Sequence, residues 1–112
     1  MSEEGDRARL RFIARMIEDI DTIIQRHGSV PQTLADIEGR PALLMCLHQI
    51  GETLFRLENA GFRSQLPVAE AYTMRNIISH SYLGLNDDII VQTVREDLPE
   101  LGLSIQKLLE SV

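Results

Sequence analysis

The sequence predicts an all-α fold, an up-and-down bundle of four main helices with one short turn helix. Apolar residues recur at steps of three and four along several long segments, the spacing that places them on one face of a helix. Aromatic residues make up 4% of the chain and Trp is absent, so the core must be built from Leu, Ile, Val and Met. The strand-favouring residues Val and Thr are scarce, and the Gly and Pro that punctuate sheets are few.

The first helix is expected from about Asp6 to His27. Leu10, Ile13, Ile17, Ile20 and Ile24 form its stripe, widened on one flank by Phe12, Met16 and Ile23. Gly28 is a natural stop, and His27 sits where a helix C-terminus favours positive charge. Ser29 to Asp36 reads as a turn with one short helical turn. A second long helix should start near Glu38–Pro41 and run to about Asn59, with Leu43, Leu47, Ile50, Leu54 and Leu57 as its seam and Gly61 as its stop. Gly51 interrupts that helix at about 1 kcal/mol relative to Ala, and the usual reason is close approach of another backbone. After a loop at 61–66, Pro67 opens a shorter helix reaching Tyr82 or Leu83 and ended by Gly84. Asn86 caps a last helix with Asp87 and Asp88 in its first turn, and Ile90, Val94, Leu98, Leu101, Ile105 and Leu108 form its face. Pro99 should kink or break it. The stripes of the first two long helices look wider than a small monomer can cover, which together with Gly51 points to a homodimer.

At 112 residues the chain is read as a single domain. Seventeen acids against eleven bases give a net charge of −6, which argues against casual nucleic-acid binding. The balance is uneven: residues 86–112 hold six acids and two bases, while residues 1–28 hold six acids and five Arg. Arg7, Arg11 and Arg15 could extend a strand path, although a solvated helix face explains them as well. No apolar run has the ~18 residues of a membrane span, and the charged N-terminus has no apolar core of a signal peptide, so a cytoplasmic location is expected. Cys46 is the one cysteine, which excludes an internal disulfide and a Cys-based zinc site. It reads as a small buried apolar residue. No His and acid spacing suits a metal, and no cofactor is expected.

The informative stretch is Thr73 to Gly84. On a wheel of about 100° per residue, Met74, Ile77, Ile78 and Ser81 occupy a narrow buried arc. Arg75, Ser79 and Tyr82 cluster on the opposite side within about 60°, with Asn76, His80 and Tyr72 beside them. One helix face thus carries a fixed cation, an amide, a hydroxyl, an imidazole and a phenol. A solvated polar face would look the same. His48 lies beside the seam of the second helix with no partner at motif spacing and reads as a packed or surface residue, and His27 as a helix-end residue.

Arg75-Asn-Ile-Ile-Ser-His80-Ser-Tyr82 resembles the Arg-x4-His-x-Tyr signature of the HepT-like toxins of the HEPN (higher eukaryotes and prokaryotes nucleotide-binding) superfamily. Met74 and Asn76 also fit that motif. Leu47 to Glu52 resembles the family's Ile-Gly-Glu segment, and Glu96 to Leu101 its Asp-Leu-Pro-x-Leu stretch, so the resemblance covers about residues 8–110 in the family's order. One departure is the start of the motif helix, Val68 to Tyr72, where many relatives carry a Trp.

The resemblance implies a HEPN-like fold and the toxin of a type II toxin–antitoxin system, a metal-independent endoribonuclease that works as a dimer with the motif helices lining a common cleft. It also implies a partner, an MntA-like minimal nucleotidyltransferase antitoxin that transfers AMP to the motif tyrosine, here Tyr82. The residue types suit the chemistry. His80 is the motif side chain that can exchange a proton near neutrality, the candidate general base or acid. Arg75 keeps its charge and can fork two phosphate oxygens as negative charge develops. Asn76 and Ser79 are substrate-positioning candidates, Asn76 by orienting Arg75, His80 or the phosphate. Arg75 and His80 lie about 140° apart around a helix, so they should flank a groove rather than pair. Tyr82 can equally be an amphipathic helix-end residue. The alternative reading is a noncatalytic HEPN module that binds nucleotide or RNA and scaffolds a nucleotidyltransferase partner.

Overall fold

In the computed structural model, which describes residues 2–81 and 84–111, the chain is all helix and turn, with no strand among those residues. The elements are α1 (Ser2–His27), α2 (Val30–Ala35), α3 (Gly39–Phe55), α4 (Ala60–Ser64), α5 (Val68–His80), α6 (Asp87–Gln92), a π-helical segment (Thr93–Asp97) and α7 (Leu98–Glu110). The last three run on without a break, so the bundle has four long members: α1, α3, α5 and the helix over 87–110. Tyr82 and Leu83 lie outside the described residues.

The apolar stripes meet in one core. Leu10, Ile13 and Ile20 of α1, Leu43, Leu47, Ile50 and Leu54 of α3, and Ile90, Leu98 and Ile105 of the last helix are all buried in it. α3 packs against both α5 and α1, and α1 also packs against α7 and α2. Much of the apolar width expected to need a second subunit is therefore covered within the chain; Ile17 and Ile24 pack against the core, while Phe12, Met45 and Phe55 stay exposed.

Local signals set most boundaries. Gly28 takes φ +100°, a conformation that strains a residue with a Cβ, and closes α1 through its N–H to Ile24 O at 2.8 Å. Ser29 Oγ accepts from Gln32 N to cap α2, and Asn86 Oδ1 accepts from Asp88 N to cap α6. Asp36 begins α3 from outside it. Its Oδ2 accepts from the N–H groups of Glu38 (2.9 Å) and Gly39 (2.8 Å) and lies 3.1 Å from His27 Nε2. The bonds from Gly39 and Glu38, with a smaller contribution from His27, hold the Asp36 carboxyl below the usual carboxylate range.

α1 begins four residues before the expected Asp6, and three further boundaries differ from expectation. α3 ends at Phe55, short of Asn59: Leu57 N–H closes a tighter turn on Leu54 O, and the two N–H groups after it are claimed by a distant residue. The Asp6 carboxylate, wholly buried and paired with Arg9 at 2.9 Å, accepts from Glu58 N and from Asn59 N at 2.7 Å. That release lets Asn59 Oδ1 cap α4, so the stretch expected as a loop holds a helical turn. α5 ends at His80 rather than at Tyr82 or Leu83, and Ser81, expected on the buried arc, is exposed. Pro99 acts as expected of a proline in a helix, and the form is specific. It has no N–H for the carbonyl of Arg95, and the wide turn over Thr93–Asp97 accommodates the missing bond.

The tightest approach in the fold is at Gly51. A Cβ there would lie 2.6 Å from Ala71 O and 2.7 Å from Arg75 Cβ, so α5 occupies the space a side chain would need. The expected backbone approach is therefore made inside the chain, and Gly51 does not by itself call for a second subunit. Helix propensity alone would make Gly51→Ala stabilising by about 1 kcal/mol. Overpacking against a backbone carbonyl costs about 1–3 kcal/mol and should win. Thermal unfolding of Gly51→Ala should show a lower Tm than wild type; a higher Tm would contradict this packing. Asp36, with its lowered folded value, contributes stability that is complete above the ordinary carboxylate range and lost as pH falls through the lowered one. Asp36→Asn should lack that component, so its Tm should fall less steeply than wild type below about pH 4.

Candidate active site

Two helices build the site across the Gly51 contact. On α3, His48 and Glu52 are four residues apart and share a face; on α5, Arg75 and Ser79 do the same. The close approach turns these two faces toward each other and makes two rungs. In the first, Arg75 Nε lies 2.7 Å from Glu52 Oε1. In the second, His48 Nε2 lies 3.0 Å from Ser79 Oγ.

Arg75 is not on a solvated face. Its side chain is 25% exposed, and three neighbours fix its guanidinium. Besides Glu52, Asn76 Oδ1 accepts from Nη1 at 2.9 Å, and the Tyr72 ring centroid lies 5.4 Å from Cζ. The Nε atom is buried, and its contact with Glu52 is an ion pair without hydrogen-bond alignment. Glu52 Oε2 also pairs with Arg56 Nη2 at 3.2 Å. One carboxylate thus holds two guanidiniums. With Nε turned to Glu52 and Nη1 to Asn76, the Nη2 hydrogens of Arg75 are left for an incoming oxygen.

The second rung fixes a hydroxyl. His48 Nδ1 is buried with no partner among the described residues, so a proton placed there would be buried unpaired. The tautomer assigned from these contacts carries its hydrogen on Nε2 and donates to Ser79 Oγ, leaving the exposed serine O–H to point outward. His48, expected to be an isolated packed or surface residue, is therefore tied to the motif helix. His80 differs from Arg75. It is the last residue of α5, it is exposed, and it shares no bond with Arg75, whose contacts run to Glu52 and Asn76. Tyr82 lies outside the described residues.

Cys46 makes a poor nucleophile here, since burial, reinforced by Asp19, pushes its thiol pKa up. Among the described residues no group of three or more His, Cys, Asp or Glu could hold a metal. No described helix is long and apolar enough to cross a membrane. Of the basic stripe on α1, Arg7 donates to the carbonyls of Leu109 and Ser111, and Arg15 pairs with Asp19, so two of its three guanidiniums serve the fold or a local pair.

Sequence reasoning placed Glu52 only within a family-like segment and missed the His48–Ser79 contact. The available signal was two i,i+4 polar pairs, one on each helix, with a helix-interior Gly beside the first.

Comparisons with known proteins identify the family. Residues 13–108 match the family model described as "Ribonuclease HepT-like". A protein of Thermococcus cleftensis named "Probable ribonuclease HepT" is 31% identical over 101 residues, covering 88% of this chain and 91% of the relative. No solved structure matches. The matched span contains both rungs, the Gly51 contact and the whole of α5, and the chain belongs to the HepT-like ribonuclease family of the HEPN superfamily.

Proposed function

We propose that the chain is the toxin of a type II toxin–antitoxin system, a metal-independent endoribonuclease whose Arg75 and His80 act on one RNA phosphate. Family membership supports a HEPN-type nuclease role. The observation that carries the finer reading is the contrast within α5: a guanidinium fixed by Glu52, Asn76 and Tyr72, and, five residues on, an exposed imidazole with no bond to the described residues. In cleavage through the 2′-OH, that hydroxyl loses its proton as its oxygen attacks phosphorus. Charge gathers on the phosphorane oxygens, and the departing 5′ oxygen takes up a proton. His80 serves one of the two proton transfers. The outward N–H groups of Arg75 and the Ser79 hydroxyl face the developing charge.

One chain presents one imidazole at this position, whereas the reaction uses an acid and a base. A homodimer with the two α5 helices around one cleft supplies two Arg75 and two His80, and exposed Phe12 and Met45 are apolar surface available to such an interface. The noncatalytic alternative, a nucleotide- or RNA-binding module scaffolding a nucleotidyltransferase, is favoured by one observation: Arg75 and His80 are not joined within the chain. Incubation of purified protein with RNA in EDTA separates the two. Scission should occur, and His80→Ala should reduce it about 10²–10⁴-fold without loss of helicity. Arg75→Ala should reduce it about 10²–10³-fold and also lower Tm, because Arg75 packs against α3 and pairs with Glu52. RNA binding with no scission in wild type would support the module instead.

The antitoxin in this proposal is an MntA-like nucleotidyltransferase that moves AMP from ATP to the Tyr82 hydroxyl. The phenol oxygen attacks the α-phosphorus, pyrophosphate leaves, and the phenolic proton is lost to solvent. Tyr72 is less suited as acceptor, since its ring is stacked between Phe55 and Arg75. Co-expression with an MntA-like nucleotidyltransferase should add whole AMP units to Tyr82, and Tyr82→Phe should fold normally and escape modification. Peptide mass spectra decide this; unmodified Tyr82 in a silenced complex would show inhibition by binding alone.

A further inference from the structure

On the Met74 side of α5, about 140° around the helix from Ser79, the bundle leaves an apolar cavity that the proposed chemistry does not use. It has about 110 Å³ and lies between α3, α5 and the start of α7, with Leu47, Ile50, Met74, Leu98 and Leu101 among its walls. The wide turn over Thr93–Asp97 supplies Thr93 and Asp97 to the same lining. Wide turns of that kind recur at functional sites. The cavity opens to solvent, since Pro67, Glu70 and Asp97 of its lining are exposed. Around the same Pro67 and Asp97 runs a second groove of about 360 Å³, to which α7 adds Glu100.

The charge at this mouth is of one sign. Glu70, Asp97 and Glu100 are exposed and share no ion pair with the described residues. No Lys, Arg or His lines the cavity or the adjoining groove. Carboxylates set on α5, on the wide turn and on α7 repel a phosphate and match several separated cations rather than one. The size of the cavity fixes the rest of the occupant. An apolar cavity of about 150 Å³ takes a six-carbon ring, so about 110 Å³ takes about four heavy atoms, the side chain of Leu, Ile or Met. Left unfilled, the walls forgo packing contacts that such a side chain restores. A second copy of this chain is a poor occupant. Among the large apolar side chains that the described residues expose, only Phe12 and Phe55 have an Arg next to them in sequence, and a Phe side chain is larger than the cavity.

We infer that the cavity and its acidic mouth are a docking site for a basic segment of another protein, whose Leu, Ile or Met enters the cavity while Lys or Arg on either side of it meet Glu70, Asp97 and Glu100. The surface contains neither Arg75 nor His80, so the inference stands apart from the reading that RNA is cut there. Ala71 lines the cavity and sets its carbonyl against Gly51, so the occupant packs directly on the helix that carries Arg75.

The test uses the full chain with carbon-13 in its methionine methyls and a set of short fluorescent peptides. Each peptide carries one central Leu among Gly, with Lys or Arg at a different spacing on either side. Affinity is read by anisotropy and location by the Met74 methyl signal, assigned through Met74→Leu. The best peptide should shift that signal and bind more weakly as salt rises. Replacing its Leu by Ala should weaken binding roughly 10- to 50-fold, the factor of the buried carbons removed. Replacement by Met should change little, and replacement by Trp, which does not fit, should weaken it. Glu70→Gln, Asp97→Asn and Glu100→Gln combined should keep the wild-type Tm, weaken binding at least about threefold and flatten its salt dependence. A set in which no peptide shifts the Met74 methyl overturns the docking site. Binding indifferent to Leu→Ala overturns it as attraction by charge alone, and unchanged affinity in the triple variant removes the acidic mouth from it. Isopentylammonium that matches the peptide's affinity and Met74 shift also overturns it, the occupant then being a small amine.

Discussion

The approach of α5 to α3 at Gly51 is the constraint on which the rest of the site depends. With Ala71 O and Arg75 Cβ where a Gly51 side chain would be, the two helices meet at backbone distance and their register is fixed. Glu52, the next residue, then faces Arg75, and His48, one turn earlier, faces Ser79. A wider spacing would part both rungs, since neither reaches past hydrogen-bond length. The core residues of the two helices, Ile50 and Ile78 among them, supply the burial that holds them together.

That constraint gives Arg75 a fixed place before any substrate arrives. A free arginine would have to lose side-chain entropy on binding a phosphate, on the order of 2 kcal/mol. Here Glu52, Asn76 and Tyr72 have already taken most of that freedom. Pairing with Glu52 also tempers the cation, but Glu52 is shared with Arg56, so the two guanidiniums are not fully neutralised. In the proposed reading, the chain's net charge of −6 weakens non-specific attraction to nucleic acid and leaves capture of a strand to the local site.

Much of this was legible in the sequence, for a physical reason: apolar periodicity, caps and stops are local signals. Gly28 and Asn86 act within a few residues of themselves, and the structure puts helix boundaries beside both. What was not legible depends on residues far apart in the chain. The end of α3 is set by Asp6, more than fifty residues earlier, whose buried carboxylate takes N–H groups the helix would otherwise keep. The wheel drawn for α5 alone put Arg75 on an open polar face, because a wheel cannot show that α3 fills the space beside it. For the same reason His48 looked solitary, its partner Ser79 being 31 positions away. Gly51, beside the i,i+4 polar pairs, was a local sign of that contact. It was read correctly as an approach of another backbone, but the partner is α5 of the same chain.

The central claim is that this helix pair cleaves RNA through the substrate's own 2′-OH, and the ends of the products test it most directly. RNA cut by the purified protein in EDTA should carry 2′,3′-cyclic phosphate and 5′-hydroxyl termini, and a single 2′-deoxy substitution at the cleaved position should leave that linkage intact. Products with 3′-hydroxyl and 5′-phosphate ends, or cleavage undiminished at the deoxy position, would contradict the account.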